Sequence, residues 1–208
     1  MSSLDRKPVQ ARQETAPSNA PFYVVLFYLL LEFGRPQDVV PGLSMLSLPM
    51  LTIGVIGILL FTTGKVIFRD KQTIFYLAIL SLMVLHGPIA VNNFHALMTF
   101  KDMVLYFVAF LGIIAFVDSI AKFKTLTAVW VGIHGYLAIM GIVLHGRGVG
   151  GWMGDENDFC MQLNMVVGFA YFGCISAHGK FKQGLSLGLL CTCITATPLS
   201  SILCSAYP

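Results

Sequence analysis

The stretch TIFYLAILSLMVLHGPIAV, residues 73–91, decides the fold. Its 19 residues contain no Asp, Glu, Lys or Arg. As a helix rising about 1.5 Å per residue it reaches about 28 Å, close to the ~30 Å hydrocarbon core of a bilayer. It is apolar on every side, so it has no polar face to present to water. Six further runs read the same way, at residues 20–34, 46–63, 102–118, 125–144, 159–177 and 184–204. The expectation is an all-α polytopic transmembrane helical bundle of about seven spans over residues 20–208, behind a polar, disordered cytoplasmic tail over residues 1–19.

Composition agrees. The chain of 208 residues is 56% hydrophobic and 11% charged, against about 45–50% and about 25% for soluble domains. Mean hydropathy is +0.79. These values exclude a soluble single domain, a disordered chain and a secreted disulfide scaffold. The net charge of +3 is small and its basic residues are scattered, so no nucleic-acid partner is expected. The partner to expect is the lipid bilayer.

The first apolar run ends in Glu32-Phe33-Gly34-Arg35-Pro36. That is a poor cleavage site for a secretory signal, so an uncleaved first span is expected. It is short, and Pro36 stops it, because proline disfavours helix for the residue before it. Basic residues then set the orientation. Arg6, Lys7 and Arg12, then Lys65, Arg69 and Lys71, then Lys122 and Lys124, then Lys180 and Lys182 fall on one side, 10 of the 13 Lys and Arg. Only Arg35, Lys101 and Arg147 fall on the other. The positive-inside rule places the tail in the cytoplasm.

Three outer loops follow, at residues 35–45, 92–101 and 145–158. The third is the most unusual: His145-Gly146-Arg147-Gly148-Val149-Gly150-Gly151-Trp152-Met153-Gly154-Asp155-Glu156-Asn157-Asp158. It lacks a Walker lysine and a preceding strand, so its glycines do not make a nucleotide site. Its acidic cluster lacks EF-hand spacing, and no metal or other cofactor is expected. Asp155, Glu156 and Asp158 can complement the dipole of the next helix, and Asp158 can cap it. Arg35, Lys101 and Arg147 are each interface anchors taken singly, with Lys101-Asp102 a local pair. Together they suit an anionic headgroup, since Arg grips phosphate bidentately.

Within the spans, His134 stands between Gly132 and Gly135 in the fifth. An ionisable intramembrane residue is a functional candidate; the plainer reading is a neutral His hydrogen-bonded to a neighbouring helix. Gly184 and Gly188 could let helices approach closely. Cys160, Cys174, Cys191, Cys193 and Cys204 lie in or beside apolar runs and are expected as buried thiols. No Ser-His-Asp, His-Glu-x-x-His or Cys-nucleophile arrangement is visible.

Two stretches carry a resemblance. One runs from Pro21-Phe22-Tyr23 to Arg35-Pro36-Gln37-Asp38, then Pro41-Gly42-Leu43 and Leu48-Pro49. The other is Gly151-Trp152-Met153-Gly154-Asp155-Glu156-Asn157-Asp158-Phe159. Over residues 20–185 the chain resembles the O-antigen ligase-like family of bacterial inner-membrane proteins, above all its exosortase-associated O-glycosylation ligase branch. The resemblance implies a multi-spanning glycosyltransferase. Such a protein moves a glycan from undecaprenyl diphosphate to an acceptor on the periplasmic face, without a metal. It implies lipid-diphosphate contacts at Arg35, Lys101 and Arg147, and an outer-loop motif at Gly154, Asp155, Glu156, Asn157 and Asp158. The family's catalytic Arg and His residues lie in a late periplasmic loop beyond the end of this sequence. The catalytic residues therefore stay unassigned, and the 208-residue chain is expected to be a truncated N-terminal portion that transfers no glycan by itself. The competing readings are a small-solute transporter, which would show several intramembrane charges and a repeat, and a non-catalytic membrane scaffold.

Overall fold

The computed structural model describes residues 19–39, 42, 46–65, 70–144, 156–176, 179–180, 184 and 187–194. Among them every regular element is helical. Helix α1 (Ala20–Leu29) continues into a π turn (Leu30–Gly34), followed by a short α2 (Pro36–Val39) and α3 (Leu48–Thr63). Helix α4 (Lys71–His86) ends in a 3-10 turn (Gly87–Ile89), and α5 (Asn93–Phe116), α6 (Ile120–Val143) and α7 (Glu156–Ser176) follow. Residues 187–194 are also helical.

Four segments are long and apolar enough to cross a membrane: Lys71–Ile89, Asn93–Phe116, Ile120–Val143 and Asp158–Ser176. Ala20–Gly34 and Leu48–Thr63 are shorter apolar helices. Large apolar side chains cover the outside of the bundle, including Phe61 at 85% exposure, Leu85 at 73% and Phe75 at 70%. Water would penalise that surface, whereas lipid tails are its natural solvent. Hydroxyls inside the helices bond the carbonyl one turn back. Thr52 donates to Leu48 O (2.8 Å), Ser81 to Leu77 O (2.8 Å), Thr99 to His95 O (3.0 Å) and Thr127 to Phe123 O (3.0 Å). No helix therefore exposes those donors to an apolar medium.

Two helix starts lie earlier than the hydropathy reading placed them. The expected loop over residues 92–101 is mostly the first turns of α5, which begins at Asn93 rather than Asp102. Asn92 caps it, its side chain accepting from His95 N at 3.0 Å. Helix α6 begins at Ile120 rather than Thr125, capped by Ser119, which accepts from Lys122 N at 3.3 Å. Hydropathy marks apolar length, whereas caps start helices. At α7 the correction is similar. The helix begins at Glu156, so Asp158 lies in its first turn instead of capping it. The seventh run is helical at Gly184 and over residues 187–194, and the tail over residues 1–18 and residues 185–186 and 195–204 of that run lie outside the described residues.

Helix α1 is the hub. It packs on α3, α5 and α6, while α4 lies against α5 and α7 against α6. Val25 and Ile56 are fully buried where α1, α3 and α5 meet. A Cβ on Gly112 would stand 2.5 Å from Ile56 Cγ2 and 3.6 Å from Val25 Cγ2. Tyr76 joins α4 to α5: its hydroxyl donates to Met103 O at 3.2 Å, and its ring lies 5.0 Å from that of Phe107. At one end of the bundle Lys122 lies 2.8 Å and Lys65 3.9 Å from Asp118, and Lys122 Nζ sits 5.8 Å from the Phe22 ring. The start of α1, the end of α3 and the α5–α6 junction thus share one end. The Lys122 hydrogen bond, supported by the charge of Lys65, holds the Asp118 carboxyl below its usual range.

Gly112→Ala is expected to destabilise the protein by about 1–3 kcal/mol, the range for an overpacked core. Ile56 is branched at Cβ and cannot swing aside. Gly54→Ala, where an added Cβ meets nothing within 4 Å, serves as the control and should be neutral or slightly stabilising. Thermal unfolding of the detergent-solubilised proteins checks both.

Candidate functional site

At the end of the bundle away from Asp118, the first apolar helix is brought to a stop by its own sequence. A π turn closes with bonds five residues apart, so Leu31 O would need the N–H of residue 36, which is proline and has none. Gln37 supplies the donor: its Nε2 lies 3.0 Å from Leu31 O, and its side chain is buried. Its Oε1 has no partner among the described residues. Arg35 takes a left-handed conformation, φ 48°, which a residue other than glycine adopts only when its surroundings hold it there. Asp38 does so twice, its N–H donating to Arg35 O at 3.0 Å and its Oδ2 lying 2.6 Å from Arg35 Nε.

Around this turn gathers a polar cluster. Tyr106 of α5 donates to Glu32 Oε1 at 3.3 Å. Arg35 and Asp102 lie within electrostatic reach of both Glu32 and Tyr106. Lys101 pairs with Asp102 at 3.5 Å, both half-exposed, as its sequence neighbourhood suggested. The structure therefore brings Arg35 and the Lys101-Asp102 pair to one cluster. It also gives each cation a carboxylate. Arg35 and Lys101 face Glu32, Asp38 and Asp102, so with all of them ionised the cluster carries a net charge of −1.

Glu32 and Tyr106 were absent from the sequence-based site. Glu32 reads as the polar end of a run, and nothing in the spacing ties it to a tyrosine 74 residues on. Arg147, Gly154 and Asp155 lie outside the described residues. Glu156 and Asn157 open α7, and Asp158 is exposed in its first turn. Phe159, which follows them, is fully buried and packs its ring edge onto Gly141 of α6.

The second buried polar site is the one expected at His134. The ring is fully buried. Its Nδ1 lies 2.9 Å from Trp130 O and its Nε2 3.4 Å from Gln162 Oε1 of α7. A carbonyl can only accept, so Nδ1 carries the proton. A neutral ring then accepts at Nε2, which requires the Gln162 amide turned to present its nitrogen, a rotation that leaves its shape unchanged. Trp130 and Phe33 enclose the site, with ring centroids 4.4 Å and 6.1 Å from that of His134. His134 is thus a buried histidine bonded to a neighbouring helix. Of the cysteines expected as buried thiols, Cys193 is buried, Cys160 and Cys174 are only half-buried, Cys191 is exposed, and Cys204 lies outside the described residues. Among the described residues no three His, Cys, Asp or Glu side chains converge as a metal site.

No family model, curated protein or solved structure matches the chain. The fold and its apolar exterior define a helical protein with helices fit to cross a membrane.

Gln162→Leu is expected to cost about 1–3 kcal/mol by stranding the buried His134 Nε2. The double variant His134→Phe/Gln162→Leu removes both partners and should cost clearly less than the two single changes summed. Denaturation in detergent measures the cycle.

Proposed function

We propose that the chain is the membrane-embedded portion of a glycosyltransferase of the O-antigen ligase-like kind. It lies in the bacterial inner membrane with its N-terminus in the cytoplasm, and acts on a glycan carried by undecaprenyl diphosphate. In that reaction an acceptor oxygen bonds the anomeric carbon, and the carbon–oxygen bond to the diphosphate breaks with its electron pair. The departing diphosphate gains negative charge, which positioned cations stabilise. The observation that carries the reading is the Arg35-Pro36-Gln37-Asp38 turn. It fixes a half-buried arginine at the end of the bundle opposite the Lys65–Asp118–Lys122 cluster. The Lys101-Asp102 pair stands by the same cluster, and Arg147 belongs by its place in the chain to the next connection on that side.

Two outcomes test this. Cysteine labelling from outside should fail near Arg69 and Lys122 and succeed in the connection around Arg147, following the ten-to-three distribution of Lys and Arg; external labelling near Arg69 overturns the orientation.

The lipid-diphosphate reading has its own signature, set by charge. A diphosphate must compete with Asp38 for Arg35. Arg35→Ala should weaken binding of undecaprenyl diphosphate in nanodiscs by about 1.5–3 kcal/mol, the value of a hydrogen bond to a charged group. Asp38→Asn should strengthen it by removing the competitor. Arg35→Lys should recover only part of the loss, because the planar fork is gone. Equal affinity in all four proteins returns Arg35 to the role of interface anchor.

A further inference from the structure

A long groove runs between α6, α7 and the helical residues 187–194, with a volume of about 1100 Å³. That exceeds the ~300–1,000 Å³ of ordinary small-molecule pockets. Its floor lacks bulk at Gly132 on α6, Gly173 on α7, and Gly184 and Gly188 beyond it, while Leu189 covers Gly135. Gly184 and Gly188 do not bring helices together, since a Cβ on either would meet nothing within 4 Å. The α6 wall extends from Lys124 to Ile139, about 22 Å at 1.5 Å per residue. A single leaflet of hydrocarbon is about 15 Å deep, so the groove accepts an acyl chain along its full length.

The one charge among its lining residues, Lys124, stands at one end. Lys124, Thr127 and Ser176 line the mouth, and the walls beyond are mainly apolar. Ser176 and Gly184 also bracket the connection that contains Lys180, which is exposed. Lys124 differs from its neighbour Lys122. Asp118 holds Lys122 at 2.8 Å, whereas among the described residues no carboxylate pairs with Lys124. A cation without a counter-ion at the mouth of an apolar groove, on the basic end of the bundle, complements a negative headgroup joined to a hydrocarbon chain.

We propose that this groove is a binding site for an anionic glycerophospholipid. One acyl chain lies over the glycine floor, and the headgroup phosphate sits against Lys124 with Thr127 and Ser176 beside it. Its headgroup end is at the opposite end of the bundle from Arg35, so it is separate from the proposed diphosphate contacts.

The test is native mass spectrometry of the full chain released from nanodiscs of equal phosphatidylglycerol and phosphatidylcholine. The wild type should retain phosphatidylglycerol in preference to phosphatidylcholine. Lys124→Gln, an exposed change that leaves the fold intact, should reduce that preference about fivefold, the effect of one lysine near an anionic surface. Lys71→Gln, on the same basic end but outside the groove, should leave it unchanged. Gly132→Leu, which fills the floor, should reduce retention of both lipids. Retention unaffected by Lys124→Gln and Gly132→Leu overturns the site. So does an equal loss in Lys71→Gln, which would show diffuse surface attraction, or a lipid-free dimer, which would make a second copy the occupant.

Discussion

The contact of Val25, Ile56 and Gly112 sets the geometry of the rest. Three helices meet there, and the missing side chain at Gly112 lets α5 come close enough to bury both branched residues completely. In a membrane the hydrophobic effect does little to hold helices together, because the surrounding lipid is as apolar as the helix surface. Close packing over a small residue is what remains. With α3 and α5 fixed on one side of α1, its other side is left for α6. The π turn continues that contact: a Cβ on Gly34 would lie 3.9 Å from Ile133 Cγ2, and Phe33 packs edge-on to Trp130 at 4.6 Å. The polar cluster around Arg35 is positioned by the end of this packed helix.

Charge is handled in the same spirit at both ends. Asp118 gathers Lys65 and Lys122 at one end, and at the other Arg35 and Lys101 each have an adjacent Asp. Pairing limits the cost of holding ions near low dielectric. It also means that the cations at the Arg35 end are not standing in wait for a phosphate. Any anionic headgroup bound there must displace a carboxylate, while at Lys124 it displaces none. Arg35 and Lys101 are thus already paired while Lys124 meets no carboxylate among the described residues, although sequence alone makes Arg35 and Lys101 look the more available.

The helical architecture was legible because lipid leaves so few choices. A run such as residues 73–91 can satisfy its backbone in hydrocarbon only as a helix. Helix starts were less legible, since Asn92 and Ser119 are polar residues that hydropathy assigns to loops while their side chains accept from the first turn. His134 was found because an ionisable residue amid apolar ones stands out. Its partner Gln162 was not, because an uncharged amide in a run reads as background. Glu32 and Tyr106 escaped for a different reason. Their bond spans 74 residues, and such a meeting depends on how α1 and α5 pack, which periodicity does not encode. Gln37 was closer to legible: a helix that runs into Pro36 leaves a carbonyl needing a donor, and an amide directly after the proline is well placed to give one.

The two stretches that carry the family resemblance end on the same helix. The turn over Arg35-Pro36-Gln37-Asp38 terminates a segment whose Phe33 and Gly34 pack on α6 at Trp130 and Ile133. The other stretch ends in Phe159, seated on α6 at Gly141. Between these two points lies His134, joined to α7 through Gln162. Both stretches thus pack on one face of the same portion of α6, about three turns long, while Gly132, Tyr136 and Ile139 on its other face stay exposed. Their non-catalytic residues have structural work that accounts for their types: a proline to stop a helix, a glutamine to cap the carbonyl it frees, a phenylalanine to fill the space over a glycine. The charge in the first stretch is placed by the same packing. Leu31 O is satisfied by Gln37, and the left-handed Arg35, braced by Asp38, stands within electrostatic reach of Glu32 at the end of α1. The proposed function adds a diphosphate to a cation that the fold already pairs, and it is on Arg35, held in a conformation costly for a residue with a side chain, that this proposal rests.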